Sequence, residues 1–107
     1  MSEWKLFVDD KRLPPDTRPM WADKEESDWD VARTAAEVRE LCEEKGPPAF
    51  VSLDYVMGAG KPNGLDIAEM MIEEGWMPEG HHEGYRVHSK HFKGRRKIIY
   101  RLQEWEE

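Results

Sequence analysis

The chain has little of what holds proteins in membranes or stabilises secreted ones. Its 107 residues include one cysteine, Cys42, so no internal disulfide can form. No apolar run approaches the roughly 20 residues that span a bilayer. The opening Met1-Ser2-Glu3-Trp4 lacks the basic and apolar regions of a signal peptide. These absences point to the reducing cytoplasm and to no membrane partner. Hydrophobic residues are also scarce at 38%, but five Trp, three Phe and three Tyr compensate, since each buried aromatic removes a large area from water. Acids are missing from one stretch. Arg86 to Arg101 carries Lys90, Lys93, Arg95, Arg96 and Lys97 with no Asp or Glu, in a chain of net charge -7. A basic segment in an acidic chain suits a small anion better than a long nucleic acid, although a solvated helix face has the same pattern.

What is present reads as one domain, residues 1–107, with no repeat or dividing linker. Trp4 to Val8 is a short apolar run ending at Asp9-Asp10, as a buried strand would. Lys11 to Ser27 contains Pro14, Pro15 and Pro19 and is expected to be a loop, long enough for a lid or binding segment. Asp28 to Arg33 is a second strand. Thr34 with Glu37 has the capping-box spacing, and Ala35, Val38, Leu41 and Cys42 then share a helical face that should keep the thiol inert. Gly46-Pro47-Pro48 stops that helix, and Ala49 to Leu53 is a third strand ending at Asp54. A loop with Gly58, Gly60 and Pro62 leads to Asn63, a cap for a helix carrying Leu65, Ala68, Met71 and Ile72 and ended by Gly75. Tyr85 to Val87 is a fourth strand leading to His88-Ser89, and Ile98, Ile99, Leu102 and Trp105 give helical spacing to the last segment.

Strands separated by helices pair in parallel through right-handed crossovers. The carboxyl ends of parallel strands open on one edge, where ligands bind in open α/β sheets. Asp9, Asp10, Asp54, His88 and Ser89 all fall at expected strand ends. A lone Asp there is more often a turn residue. Three on one edge repel unless a cation joins them, and Mg²⁺ is the hard partner that carboxylates suit. Ser89 also reads as a cap for the last helix. His81-His82 with Glu83 lacks the further spaced ligands of a structural metal site.

With those positions in hand, the chain resembles a response-regulator receiver domain. Asp9 and Asp10 match its acidic pair, Asp54 its phospho-accepting position and Ser89 its hydroxyl position. The chain has no fifth strand and no lysine at its end, so ordinary two-component signalling is not implied. It is more similar to the cyclic-phosphate processing receiver domain, a phage and bacterial family, over nearly its whole length. The similarity lies in KLFVDDKRLPP, ARTAAEVRELCEE, VSLDYVMG, NGLDIAEMMIEEG and YRVHSKHFKGRRKI. Two departures stand out: Tyr55-Val56 where that family has a His and a second acid, and His91-Phe92 where it has Asn-Pro.

The resemblance implies a receiver-like (flavodoxin-like) three-layer α/β fold with a parallel sheet of about four strands and the first helix replaced by the Pro-rich loop. It implies Mg²⁺-dependent phosphate-ester chemistry on a small phosphate-containing substrate, a nucleotide or an RNA end. Asp9, Asp10 and Asp54 would hold the metal. His88, Asp54 and Ser89 would be catalytic, with the imidazole exchanging a proton near neutrality. Arg12, Lys93, Arg95 and Arg96 would bind phosphate. The competing expectation is a non-catalytic module that binds a protein partner through exposed aromatics such as Trp21 and Trp29, which flank the long loop.

Overall fold

Alternating apolar runs and amphipathic segments become a sheet with helices packed against it. The computed structural model describes residues 4–12, 29–80 and 83–107. The elements are β1 (Lys5–Val8), β2 (Trp29–Ala32), α1 (Ala35–Lys45), β3 (Phe50–Leu53), α2 (Gly64–Glu74), β4 (Tyr85–Val87) and α3 (Phe92–Glu106). All strand pairs are parallel, in the order β2-β1-β3-β4. The chain steps outward from β1 to β2, then crosses to the other side of β1 for β3. That reversal is the topological switch point, and Asp9 and Asp54 follow the two strands that flank it. Among the described residues the architecture is the expected α/β fold with a four-stranded parallel sheet and three helices, consistent with a receiver-like three-layer arrangement. The Pro-rich segment, with Trp21, lies outside the described residues, as does the His81-His82 pair.

Side chains alternate along each strand and so sort into two clusters. Leu6, Val8, Val51, Leu53, Tyr85 and Val87 meet Val38 and Cys42 of α1, Ile67, Ala68 and Met71 of α2, and Ile98 and Leu102 of α3. Ile99 and Trp105 pack at the margin of that core. The opposite parity gives Phe7, Trp29 and Phe50, edge-to-face at 5.8 Å and 5.7 Å. Trp29 is therefore buried, with the Lys5 ammonium 4.9 Å from its ring centroid. The expectation of an exposed partner-binding Trp29 is overturned, because its strand register turns it inward beside Phe7. Burial also pushes the Cys42 thiol up to about 11, in keeping with an unreactive core cysteine.

Helix starts follow the sequence signals with two changes. Asn63 and Asp66 form a reciprocal capping box at 2.9 Å and 3.0 Å. Thr34 accepts from the Glu37 amide at 3.1 Å, but the Glu37 carboxylate reaches one residue further back, to the Arg33 amide at 2.6 Å. His91, not Ser89, caps α3: its Nδ1 accepts from the Gly94 amide at 2.9 Å, and Ser89 Oγ accepts from the His91 amide at 3.0 Å.

The entry to α2 packs against the strand-end backbone. Gly64 donates to the Tyr55 carbonyl at 2.8 Å, and a Cβ at position 64 would stand 1.9 Å from the Asp54 carbonyl oxygen. Only glycine fits there, so Gly64→Ala is expected to destabilise the fold by about 1–3 kcal/mol or more in urea unfolding. An unchanged midpoint would show that the α2 entry does not sit this tightly on β3.

Candidate metal centre at the carboxyl edge

The strand ladder runs one residue past each formal strand end. The Asp9 amide donates to Ala32 at 3.2 Å, the Asp54 amide to Val8 at 2.9 Å and the His88 amide to Leu53 at 2.9 Å. The two-residue period therefore still holds at the edge. Asp9 follows Phe7, Asp54 follows Ser52 and His88 follows Arg86, so all three side chains leave the sheet on one face. Their nearest ligand atoms lie within 4.8 Å of one another, and all three residues are buried. Asp10 and Ser89 have the opposite parity and do not belong to this group. Asp10 turns toward the Gly58 loop, where a Cβ on Gly58 would be 3.8 Å from its Oδ2.

Asp9 is the centre of the arrangement. Its Oδ1 accepts from the amides of Lys11 at 2.9 Å and Arg12 at 2.8 Å. Its Oδ2 meets Arg12 Nε and His88 Nε2, each at 3.0 Å. Burial works against ionisation, but the His88 hydrogen bond, the two backbone amides and the His88 charge outweigh it and hold the carboxyl well below the usual range. An ionised carboxylate has no proton to give, so His88 Nε2 carries the hydrogen and donates it. Nδ1 pairs with Ser52 Oγ, 2.7 Å away. The ring stacks on Phe7 at 4.5 Å with planes 6° apart, and its side chain is fully buried. Position, tautomer and ring plane are all set by neighbours on the same sheet face.

Arg12 closes the cluster. Its Nη2 stands 3.7 Å from Asp54 Oδ2 and donates to the His88 carbonyl at 3.4 Å, so one guanidinium faces both carboxylates. Arg33 holds this corner from behind, with Nη1 donating to the carbonyls of Asp9 at 2.9 Å and Arg12 at 2.8 Å. The Asp54 carboxylate also takes the Tyr55 amide on Oδ1 at 2.8 Å. Ser52 and Arg33 were not singled out from the sequence. Ser52 was detectable as the residue two before Asp54; Arg33 was not, since its contacts lie across the sheet edge. The basic residues of the last segment divide: Arg95 reaches the Val87 carbonyl at 3.4 Å, whereas Lys93 and Arg96 lie on the exposed side of α3.

This donor set can hold a divalent ion such as Mg²⁺. It offers two carboxylates and one imidazole, not the three carboxylates expected from Asp9, Asp10 and Asp54. Imidazole is a better ligand for Mn²⁺ or Zn²⁺ than for Mg²⁺, which prefers oxygen. The Arg12 guanidinium already supplies positive charge to the same oxygens, so an entering cation must displace it. No helix of the described residues is long and apolar enough to cross a membrane.

Comparison with known families gives a match to the model of the Cyclic-phosphate processing Receiver domain over residues 4–104. Neither the curated proteins nor the solved structures give a match.

The Asp9 network carries a pH signature. Folding lowers its pKa from an ordinary 3.8, so its stabilisation is complete above about pH 4 and drains as the pH falls further. Removing one partner of a buried charged network costs about 3–5 kcal/mol. Asp9→Asn should therefore unfold at markedly lower urea than the wild type at pH 7, with the gap narrowing progressively as the pH falls below about 4. A gap that stays constant with pH would mean that Asp9 is not held ionised.

Proposed function

The chain belongs to the cyclic-phosphate processing receiver domain family, and from that membership we propose that it opens a cyclic phosphate ester, at an RNA end or on a nucleotide. The observation that supports this reading is the convergence of Asp9, Asp54 and His88 from three parallel strands on one rim. Opening such a ring breaks one P–O bond, forms a bond from a water oxygen to phosphorus and delivers a proton to the departing ribose oxygen. A divalent ion, when bound by Asp9, Asp54 and His88, supplies polarisation of a phosphoryl oxygen and a more acidic water. The chain's own groups do the rest. Arg12 stands beside both carboxylates with a planar fork suited to paired phosphate oxygens. To ligate the divalent ion His88 must give up the proton that Nε2 otherwise donates to Asp9, and Ser52 fixes the ring from behind. Asp54 shares the reacting edge, while Ser89, Lys93, Arg95 and Arg96 extend hydroxyl and positive charge along the loop and helix that follow β4.

This reading needs no long polyanion and no membrane, and the buried thiol of Cys42 suits a cytoplasmic setting. The partner-binding alternative loses one of its two aromatic anchors, since Trp29 is in the core.

Purified protein with millimolar Mg²⁺ or Mn²⁺ should open a nucleoside 2′,3′-cyclic phosphate, and His88→Ala and Asp54→Asn should each slow it by about tenfold or more. Two variants as fast as the wild type would refute these roles. A thermal melt supplies a readout independent of turnover: either metal should raise Tm in the wild type, Mn²⁺ more than Mg²⁺ at equal concentration, and Asp54→Asn should abolish the rise. A shift that survives in Asp54→Asn would place the metal elsewhere.

A further inference from the structure

The core accounts for one side of α3, with Gly94, Ile98 and Leu102 buried. The outer side carries a pattern that neither packing nor the acidic edge uses. Phe92 and Tyr100 are 63% and 56% exposed, which is unusual for large rings. They stand eight residues apart with Arg96 midway, so the three side chains form one row along the helix. The Arg96 guanidinium lies 5.5 Å from the Phe92 ring centroid and 5.3 Å from that of Tyr100, and its Nη2 donates to the Tyr100 hydroxyl at 2.7 Å. Lys93 and Lys97, both exposed, make a second row one residue along. Three planar groups in line, flanked by ammonium groups, form the combination that holds single-stranded nucleic acid: rings for base faces and cations for the backbone.

The row begins at the reacting edge. Asp54 is bonded to the amide of Tyr55, and the Tyr55 ring stacks on His91 at 5.0 Å and 25°. His91 precedes Phe92. Tyr100 and Lys97 also border an open groove of about 450 Å³ between α2 and α3, in which Glu69 and Glu104 pair with Arg101. From Phe92 to Tyr100 the helix rises about 12 Å, at roughly 1.5 Å per residue. That span suits a few nucleotides, and the net charge of -7 disfavours a longer engagement.

We propose that the exposed Phe92–Arg96–Tyr100 row on α3 is a stacking platform for a short single-stranded RNA segment, whose terminal phosphate it leads to the Asp9–Asp54–His88 edge. The proposal rests on the reading of that edge as a phosphate-ester site and narrows its substrate to the end of a polynucleotide.

Binding can be tested apart from turnover with a fluorescently labelled five-nucleotide RNA that ends in a plain 3′ hydroxyl, followed by anisotropy at low salt. The wild type should bind it, and Phe92→Ala combined with Tyr100→Ala should weaken binding by about tenfold or more. Both rings are exposed, so circular dichroism and Tm should stay as in the wild type. Arg96→Gln, which keeps both rings, should weaken binding and flatten its salt dependence. Wild-type affinity in the double variant would overturn the proposal. So would an inorganic polyphosphate or an oligoglutamate that competes as well as unlabelled RNA, because charge alone would then explain the patch. If the RNA binds as expected but no cyclic phosphate is opened, the platform stands and the catalytic reading fails; if opening proceeds on mononucleotides without RNA binding, the reverse holds.

Discussion

A buried carboxylate is costly unless donors surround it, and Asp9 is the residue around which the functional edge is built. Two backbone amides, a guanidinium and an imidazole converge on its two oxygens. Each donor is tied down in turn: Arg12 by Asp54 and the His88 carbonyl, His88 by Ser52 and Phe7, and the β1 exit by Arg33. Remove the carboxylate and three strand ends lose their common partner. The same saturation makes the edge ready for chemistry, because a cation or a phosphate arriving there exchanges one set of charged contacts for another instead of filling a void.

That exchange is why Arg12 matters. Like charges placed together demand a counter-ion, and from the sequence a bound metal was the natural one. The chain meets the demand with its own guanidinium. A divalent ion binding to Asp9 and Asp54 must compete with Arg12, and an Arg12 released from them would be free to meet a phosphate. The metal affinity of such a site is bounded by the pairing it disrupts.

Much of this was legible in the sequence because topology follows from pattern. Strand–helix alternation dictated a parallel sheet, and a parallel sheet dictated that Asp9, Asp54 and His88 share an edge. The same two-residue period that separates Leu6 from Phe7 also separates Asp9 from Asp10, and it explains why the adjacent acid faces the Gly58 loop. Ser52 was encoded by the same rule. What the pattern did not carry were contacts made across the edge by long side chains: Arg33 to two carbonyls of the β1 exit, and the Glu37 reach to the Arg33 amide. Trp29 was misread because its place beside a long polar segment suggested exposure, while its register with Lys5 sets it beside Phe7. The Tyr55 and His91 departures from the family pattern are no longer independent. Their rings stack on each other, and the Tyr55 ring lies where a Cβ on Gly94 would come within 2.2 Å. The two changes form a single packed unit beside Asp54.

The central claim is that one sheet face gathers Asp9, Asp54 and His88 into a cation site that Arg12 otherwise serves. Anomalous diffraction from a crystal soaked in Mn²⁺ addresses it directly. A peak bounded by those three side chains, at about 2.0–2.3 Å from their ligand atoms and with the Arg12 guanidinium turned away from Asp9, is the result this account requires. A peak held by Asp10 instead, or a saturating soak that leaves Arg12 paired to Asp9 with no peak between the carboxylates, would contradict it.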